Sequence, residues 1–276
     1  AAAVIFGDDE DAPVLAHTLG FAASTGEFLD RYRLPGDTSS RIWEERFGEQ
    51  AYLALAEDAI GRATKSANVE MEDIDKVVIA GLHARAVRGL SRIAGDKLVD
   101  DLTGRIGNPG AAQLPVLVAS VLDQAEPGET ILCVHLADGA YASVMRTTDA
   151  ISDYTPFATV EAQIEAGSDN LEYNLYLTWR GFLDREPPRR PDPDRPGAPP
   201  TSRSEDWKYA FVGSRDRASG AIHLPPMRVS MDGGAVDDME RISMADVPAT
   251  IATFTVDYLA FSLSPPTVAV VIDFDG

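Results

Sequence analysis

The sequence predicts an α/β unit built on a mixed sheet, followed by a small all-β module. Three observations lead there. Two short apolar runs, KVVIAG (76–81) and TILCVHLA (130–137), stand among segments with helical spacing. Composition then shifts after residue 150, and 7 of the 18 prolines fall within 186–200. Beyond those prolines come two β-rich runs, ATIATFTVDYLAF (249–261) and TVAVVIDFDG (267–276). The expected division is 1–150 for the α/β part, 151–206 for a helical segment with a Pro-rich linker, and 207–276 for the all-β module.

The elements follow in order. AAAVIFGD opens the chain as an apolar run ending in Gly and acid, which reads as a buried strand. From Ile42 to Ala63, Phe47, Ala51, Leu55, Ala59 and Ala63 recur every four residues, an amphipathic helix. KVVIAG is β-branched and bounded by charge and Gly, a buried strand. HARAVRGLSRIAG (83–95) reads as a helix closed by Gly95. GNPGAAQLPVLVASVLDQA (107–125) is a Gly-led turn entering a helix apolar all round, with Pro109 near its first turn. TILCVHLA and ASVMRTT join through Asp138-Gly139 as a hairpin. Ile164, Leu171 and Leu175 carry helical spacing toward Trp179, and EPPRRPDPDRPGAPP (186–200) reads as a semi-rigid polyproline strap.

Composition excludes several classes. With 45% apolar and 8% aromatic residues in 276, the chain is globular rather than disordered. No apolar run reaches the ~18–20 residues of a spanning helix, and the opening lacks a basic signal-peptide region. The expected location is the cytoplasm, with no membrane partner. The lone Cys133 forbids an internal disulfide and suits a reducing compartment. A net charge of −20, with 20 Arg against 4 Lys, opposes nucleic-acid binding. It also suits solubility or high salt, though a GC-rich genome favours Arg over Lys as well.

Three places bear on chemistry. His83 directly follows the strand KVVIAGL and opens a helix, a position where ligands and catalytic groups are often found. Asn108 lies in a turn between Gly107 and Gly110, where backbone approaches a ligand closely. Together they offer two neutral donors to an oxyanion, or a base and a donor. The bland readings are a helix cap for the His and a turn former for the Asn. The third place, residues 213–234, has the outline of a zinc knuckle without cysteine. Asp216 and Ser219 hold one C-x-x-C spacing, Ser230 and Gly233 a second.

IDKVVIAGLHARAV and RIGNPGAAQLPVLVASVLDQAEPGETILCVHLADGAYASVM resemble the C-terminal half of a thiolase-fold condensing enzyme. The resemblance is strongest to the branch of 3-hydroxy-3-methylglutaryl-CoA synthase and ketoacyl synthase III. AAAVIFGD resembles the last strand of the N-terminal half, and FLDRYRLPGDTSSRIWEERFGEQAY the connection into the C-terminal half; the match covers roughly residues 1–148. LTWRGFLDREPPRRPDPDRPGAPP and WKYAFVGSRDRASGAIHLPP resemble the acyl-CoA-associated OB-fold proteins, which carry a rubredoxin-like knuckle before a small barrel. The four ligand positions then correspond to Asp216, Ser219, Ser230 and Gly233. Gly233 has no ligating side chain and serine hydroxyls bind zinc poorly, so no bound metal is expected.

The resemblance implies a reaction. His83 and Asn108 fall on the family positions that complete a Cys-centred site. Cys133, in an apolar strand, does not match the nucleophile, so the resemblance places that cysteine upstream of Ala1 or on another polypeptide. It implies coenzyme A thioesters as substrates and no bound cofactor. It also implies, as partner, the N-terminal thiolase half or a thiolase-fold subunit, in a homo- or hetero-oligomer. The rival is a non-catalytic OB-fold scaffold that docks a thiolase and channels acyl-CoA; such a scaffold has no need of His83 and Asn108.

Overall fold

A computed structural model describes residues 2–7, 13–184, 186, 196–260, 262 and 265–275. The chain forms two compact units, Ala1–Asp169 and Asn170–Gly276.

In the first unit, β1 (Ala16–Ser24) leads to a short hairpin of β2 (Arg31–Tyr32) and β3 (Arg41–Ile42), then to helix α1 (Glu45–Ala67). Next come β4 (Lys76–Gly81), α2 (Ala84–Ala94), α3 (Thr103–Ile106), α4 (Gln113–Leu122), β5 (Thr130–Leu136), β6 (Ala140–Thr147) and α5 (Val160–Glu165). The main sheet runs β1-β6-β5-β4. β4 and β5 are parallel while the other pairs are antiparallel, which makes the sheet mixed.

Both faces of β4 and β5 are covered, which explains their unbroken apolar sequences. Val77, Ile79, Leu132, Val134 and Leu136 point into one core with α1 and α2. Val78, Ala80, Ile131 and Cys133 point into a second core with Leu117 and Val121 of α4. Because side chains alternate along a strand, each residue of the run needs an apolar neighbour on one face or the other.

Some expectations shift. The opening run is not a strand: residues 2–7 have no regular structure, and Ile5 and Phe6 are exposed. The first strand is instead AHTLGFAAS, which pairs with β6. Its small, polar residues hide the signal, because only one stripe of it meets α1. That helix buries Gly48, Tyr52, Ala56, Ala59 and Ala63, so its core stripe is displaced from the expected one and Phe47 is exposed. The apolar helix starts at Gln113, after a 3₁₀ turn at Gly110–Ala112, and only Gln113, Leu117 and Val121 are buried.

The second unit holds α6 (Tyr173–Trp179), α7 (Ala198–Ser202) and α8 (Glu205–Tyr209). Most of the proline strap lies outside the described residues, and its end, from Ala198, opens α7 with prolines in the first turn. β7 (Val212–Asp216), β8 (Ile222–His223) and β9 (Met239–Ser243) form a three-stranded antiparallel sheet, order β8-β7-β9. β10 (Ala249–Asp257) and β11 (Thr267–Phe274) form a separate two-stranded ribbon. Among the described residues these strands make two sheets, with no closed barrel. No described helix is long and apolar enough to cross a membrane.

Candidate active site at the carboxyl end of β4

His83 follows β4 by two residues and caps α2 through its own ring. Nδ1 accepts the backbone N–H of Ala86 at 3.2 Å. That nitrogen therefore carries no proton, and the neutral ring has its N–H at Nε2. Nε2 is buried and has no hydrogen-bond partner among the described residues. An unsatisfied buried donor costs roughly 1–3 kcal/mol and calls for an explanation, of which a catalytic role is one.

The space around Nε2 is shaped by α1. A Cβ on Gly48 would lie 2.8 Å from His83 Nε2 and 3.8 Å from Asp30 Oδ1. Gly48 lies in the first turn of α1, and its lack of a side chain lets the helix backbone approach the imidazole edge. Asp30 Oδ1 is also buried without a partner among the described residues, while Oδ2 accepts the Tyr52 hydroxyl at 3.1 Å. Tyr52 stands tilted against His83, ring centres 5.6 Å apart. Burial, then the neighbouring Asp30 carboxylate, raises the Tyr52 phenol well above its ordinary range, so it remains a donor. Arg31 donates to Leu82 O at 2.8 Å, tying the β2 strand to the residue before His83.

Asn108 reaches the same strand end by hydrogen bonds. Its Nδ2 donates to Gln113 Oε1 at 2.9 Å and, more weakly, to Gly81 O at 3.4 Å. Its Oδ1 accepts Gly110 N–H at 2.8 Å, fixing the turn. Gln113, 4% exposed, also accepts Gly81 N–H at 3.1 Å. The structure thus attaches both sequence-selected residues to Gly81, His83 through the chain and Asn108 through Gln113. One Nδ2 proton is held firmly; the other is bound only by the long contact. Gln113, Gly48, Asp30 and Tyr52 were missed from sequence. The available signals were a polar residue opening an apolar helix and a glycine inside an amphipathic one.

Cys133 is 3% exposed in β5, and burial pushes its thiol up to about 12. A thiol so held is not a nucleophile at neutral pH. Asp216 is likewise buried, and its carboxylate is saturated: Oδ1 accepts Ala218 N–H and Oδ2 accepts the Ser219 hydroxyl, each at 2.8 Å. Hydrogen bonds from Ser230, Ala218 and Ser219 hold it down to about 2. Gly233 sits nearby in sequence at φ +79°, a turn residue. His223 is buried, with Nε2 accepting Met231 N–H at 3.0 Å and Nδ1 unpartnered among the described residues. Among the described residues no group of three or more His, Cys, Asp or Glu could hold a metal ion.

Similar proteins carry the names of synthases. Over 188 residues the chain is 28% identical to the hydroxymethylglutaryl-CoA synthase of Methanothermobacter thermautotrophicus and 26% identical to that of Methanosphaera stadtmanae. Each alignment covers 66% of this chain and 54% of the relative, so the chain spans about half the length of the curated relatives it matches. Among solved structures, 3-oxoacyl-(acyl carrier protein) synthase III from Pseudomonas aeruginosa matches 52% of this chain and 47% of its own, at 19% identity and a TM-score of 0.39. The enzyme of the same name from Aquifex aeolicus matches at 16% identity and a TM-score of 0.41, covering 50% of this chain and 46% of its own. No protein-family model matches the chain.

Proposed function

We propose that this chain supplies the oxyanion-binding half of an acyl-CoA condensing site, in an acyltransferase that makes or breaks a carbon–carbon bond. The observation that carries the reading is the buried, unpartnered Nε2 of His83 at the end of β4, with Asn108 anchored to the same strand end. In this reading a cysteine thiolate outside residues 1–276 attacks the acyl-CoA carbonyl and expels the coenzyme A thiolate. The carbanion of a second acyl-CoA, formed by loss of its α-proton to a base outside residues 1–276, then adds to the thioester carbonyl, and the tetrahedral oxyanion collapses to the ketone with expulsion of the cysteine thiolate. Negative charge gathers on the reacting carbonyl oxygen, where His83 Nε2–H and the loosely held Asn108 N–H donate to it.

The similarity to hydroxymethylglutaryl-CoA synthases supports the substrate class. We read 1–150 as the thiolase-like half, 151–206 as helical segment and linker, and 207–276 as a partial OB module that covers or channels acyl-CoA. We read the 213–234 segment as a metal-free turn element, since hydrogen bonds already satisfy Asp216, the one carboxylate at the four knuckle positions. Elemental analysis finding about one zinc per chain would overturn that part.

The test of the function is condensation by the complete enzyme, nucleophile included. His83→Ala should lower kcat ~10²–10³-fold with the fold intact. Unchanged kinetics would return His83 to a helix cap. The 276-residue chain alone, incubated with labelled acetyl-CoA, should show no adduct by intact mass. A stoichiometric adduct on Cys133 would mean the nucleophile is misplaced.

A further inference from the structure

Asn108 enters the site through a stretch of chain that local forces alone hold poorly. Three residues around it have left-handed backbone: Leu102 at φ +57°, Gly107 at +68° and Gly110 at +66°. That conformation is strained for a leucine. Between Leu102 and Gly107 stands α3, a single turn of four residues, Thr103–Ile106. One turn cannot sustain itself, because a helix nucleus is unfavourable until further turns propagate it.

Side chains tether α3 at both ends. At its start, Leu102 is 6% exposed in the second core, and Asp101 Oδ1 accepts the Thr103 N–H at 2.9 Å and the Thr103 hydroxyl at 2.6 Å. Toward its end, Arg105 makes a forked pair with Glu161. Nη1 donates to Oε2 at 2.6 Å and Nη2 to Oε1 at 2.8 Å. Ile106, between the fork and the Asn108 turn, is 40% exposed, so packing holds this end weakly.

Glu161 is itself held in place. It lies in the first turn of α5, where the Val160 N–H donates to Asp123 Oδ2 at 2.7 Å, at the end of α4. The Thr159 hydroxyl accepts the Ala162 N–H at 3.1 Å, and Val160 and Ile164 pack on the second core. The fork therefore ties α3 to a fixed platform, and its two parallel bonds set direction as well as distance. Both side chains are about half exposed, and exposed pairs contribute little to stability. What this pair supplies is geometry, three residues before Asn108.

We propose that Arg105 and Glu161 are positioning residues for Asn108: their fork sets α3, and α3 sets the side-chain amide that reaches Gln113 and Gly81. The effect on turnover rests on the reading of Asn108 as an oxyanion donor; the effect on the Asn108 turn does not.

Arg105→Lys keeps the charge and removes the fork, while Glu161→Gln keeps the shape and removes the charge. In the complete enzyme, nucleophile included, each should lower kcat about five- to tenfold with KM for acyl-CoA unchanged, part of the ~10²–10³-fold that a lost oxyanion donor costs. In an Asn108→Ala background the same substitutions should change kcat less than about twofold, because the side chain they act through is gone. Equal factors in both backgrounds would overturn the proposal. So would an equal loss from Arg62→Lys, the same exchange at an exposed pair with Asp58 on α1. Hydrogen exchange on the 276-residue chain gives a readout without turnover. The Gly110 amide, which donates to Asn108 Oδ1 at 2.8 Å, should exchange several-fold faster in Arg105→Lys, with the β5 amides unchanged. Unchanged exchange at Gly110 would also overturn the proposal. Faster exchange at Gly110 together with full activity of Asn108→Ala would sink the proposed reaction's use of Asn108 and leave the positioning role standing.

Discussion

The strands β4–β5 and the ribbon β10–β11 read alike in sequence and end in opposite environments. KVVIAG and TILCVHL are buried almost throughout. ATIATFTVD is exposed at all its positions, and TVAVVIDF at all but its last. The difference is layering. Helices α1 and α2 cover one face of the main sheet and α4 the other, whereas an isolated two-stranded ribbon is at best marginally stable alone. An apolar, β-branched run thus specifies an extended backbone, while burial depends on which amphipathic helices pack beside it.

The largest test of that contrast is Leu132→Ala. Leu132 is 1% exposed and packs with Tyr52, Ala56 and Ile79 in the first core. Truncation should cost about 2–5 kcal/mol, measured by urea denaturation. A loss under about 1 kcal/mol would mean the sheet is not packed on that face.

A second test addresses the end of the same sheet. In Gln113→Leu the Gly81 N–H loses its acceptor and Asn108 loses its firm contact. A buried unsatisfied donor costs roughly 1–3 kcal/mol. The Gly81 amide should also exchange faster with solvent than in the parent. Unchanged exchange would show that Gln113 does not hold the strand end.

In the second unit the buried group is a charge, and pH resolves its contribution. The Asp216 carboxyl is held at about 2, below its ordinary 3.8, by hydrogen bonds to Ser230, Ala218 and Ser219. A depressed folded-state value means stability that is fully present above about pH 4 and lost as pH falls toward 2. The parent should therefore be more stable than Asp216→Asn by a constant margin at pH 5–7, and the margin should shrink from pH 4 to pH 2. A margin independent of pH would assign the effect to shape rather than charge.

Much of the first unit was legible because its signals are local. KVVIAG lies between charge and Gly, Gly95 closes α2, and Asp138-Gly139 turns the β5–β6 hairpin. The misses share a physical cause: they depend on neighbours distant in sequence. β1 is a strand because β6 offers it a ladder, and residues 2–7 are not because the described residues offer them none. His83 and Asn108 could be chosen from turns and resemblance. Gln113, which brings Asn108 to Gly81, could not, because only the fold sets it beside the end of β4.

The smallest effect should come from the ribbon, where the contrast can fail in an informative way. Phe254, on the apolar face, is 63% exposed and pairs with Val270. Phe254→Ser removes a large side chain, yet little of it is withdrawn from water in the chain by itself. Surface substitutions of this kind usually change stability by less than about 0.5 kcal/mol, against the several expected for Leu132→Ala. Thermal denaturation of both variants at two protein concentrations measures the difference. If Phe254→Ser instead costs 2 kcal/mol or more, the apolar face is covered in solution. A cost that grows with concentration would identify the cover as a second copy of this chain, and one that does not would place it within the chain itself. Either result would end the contrast between a layered sheet and a bare ribbon.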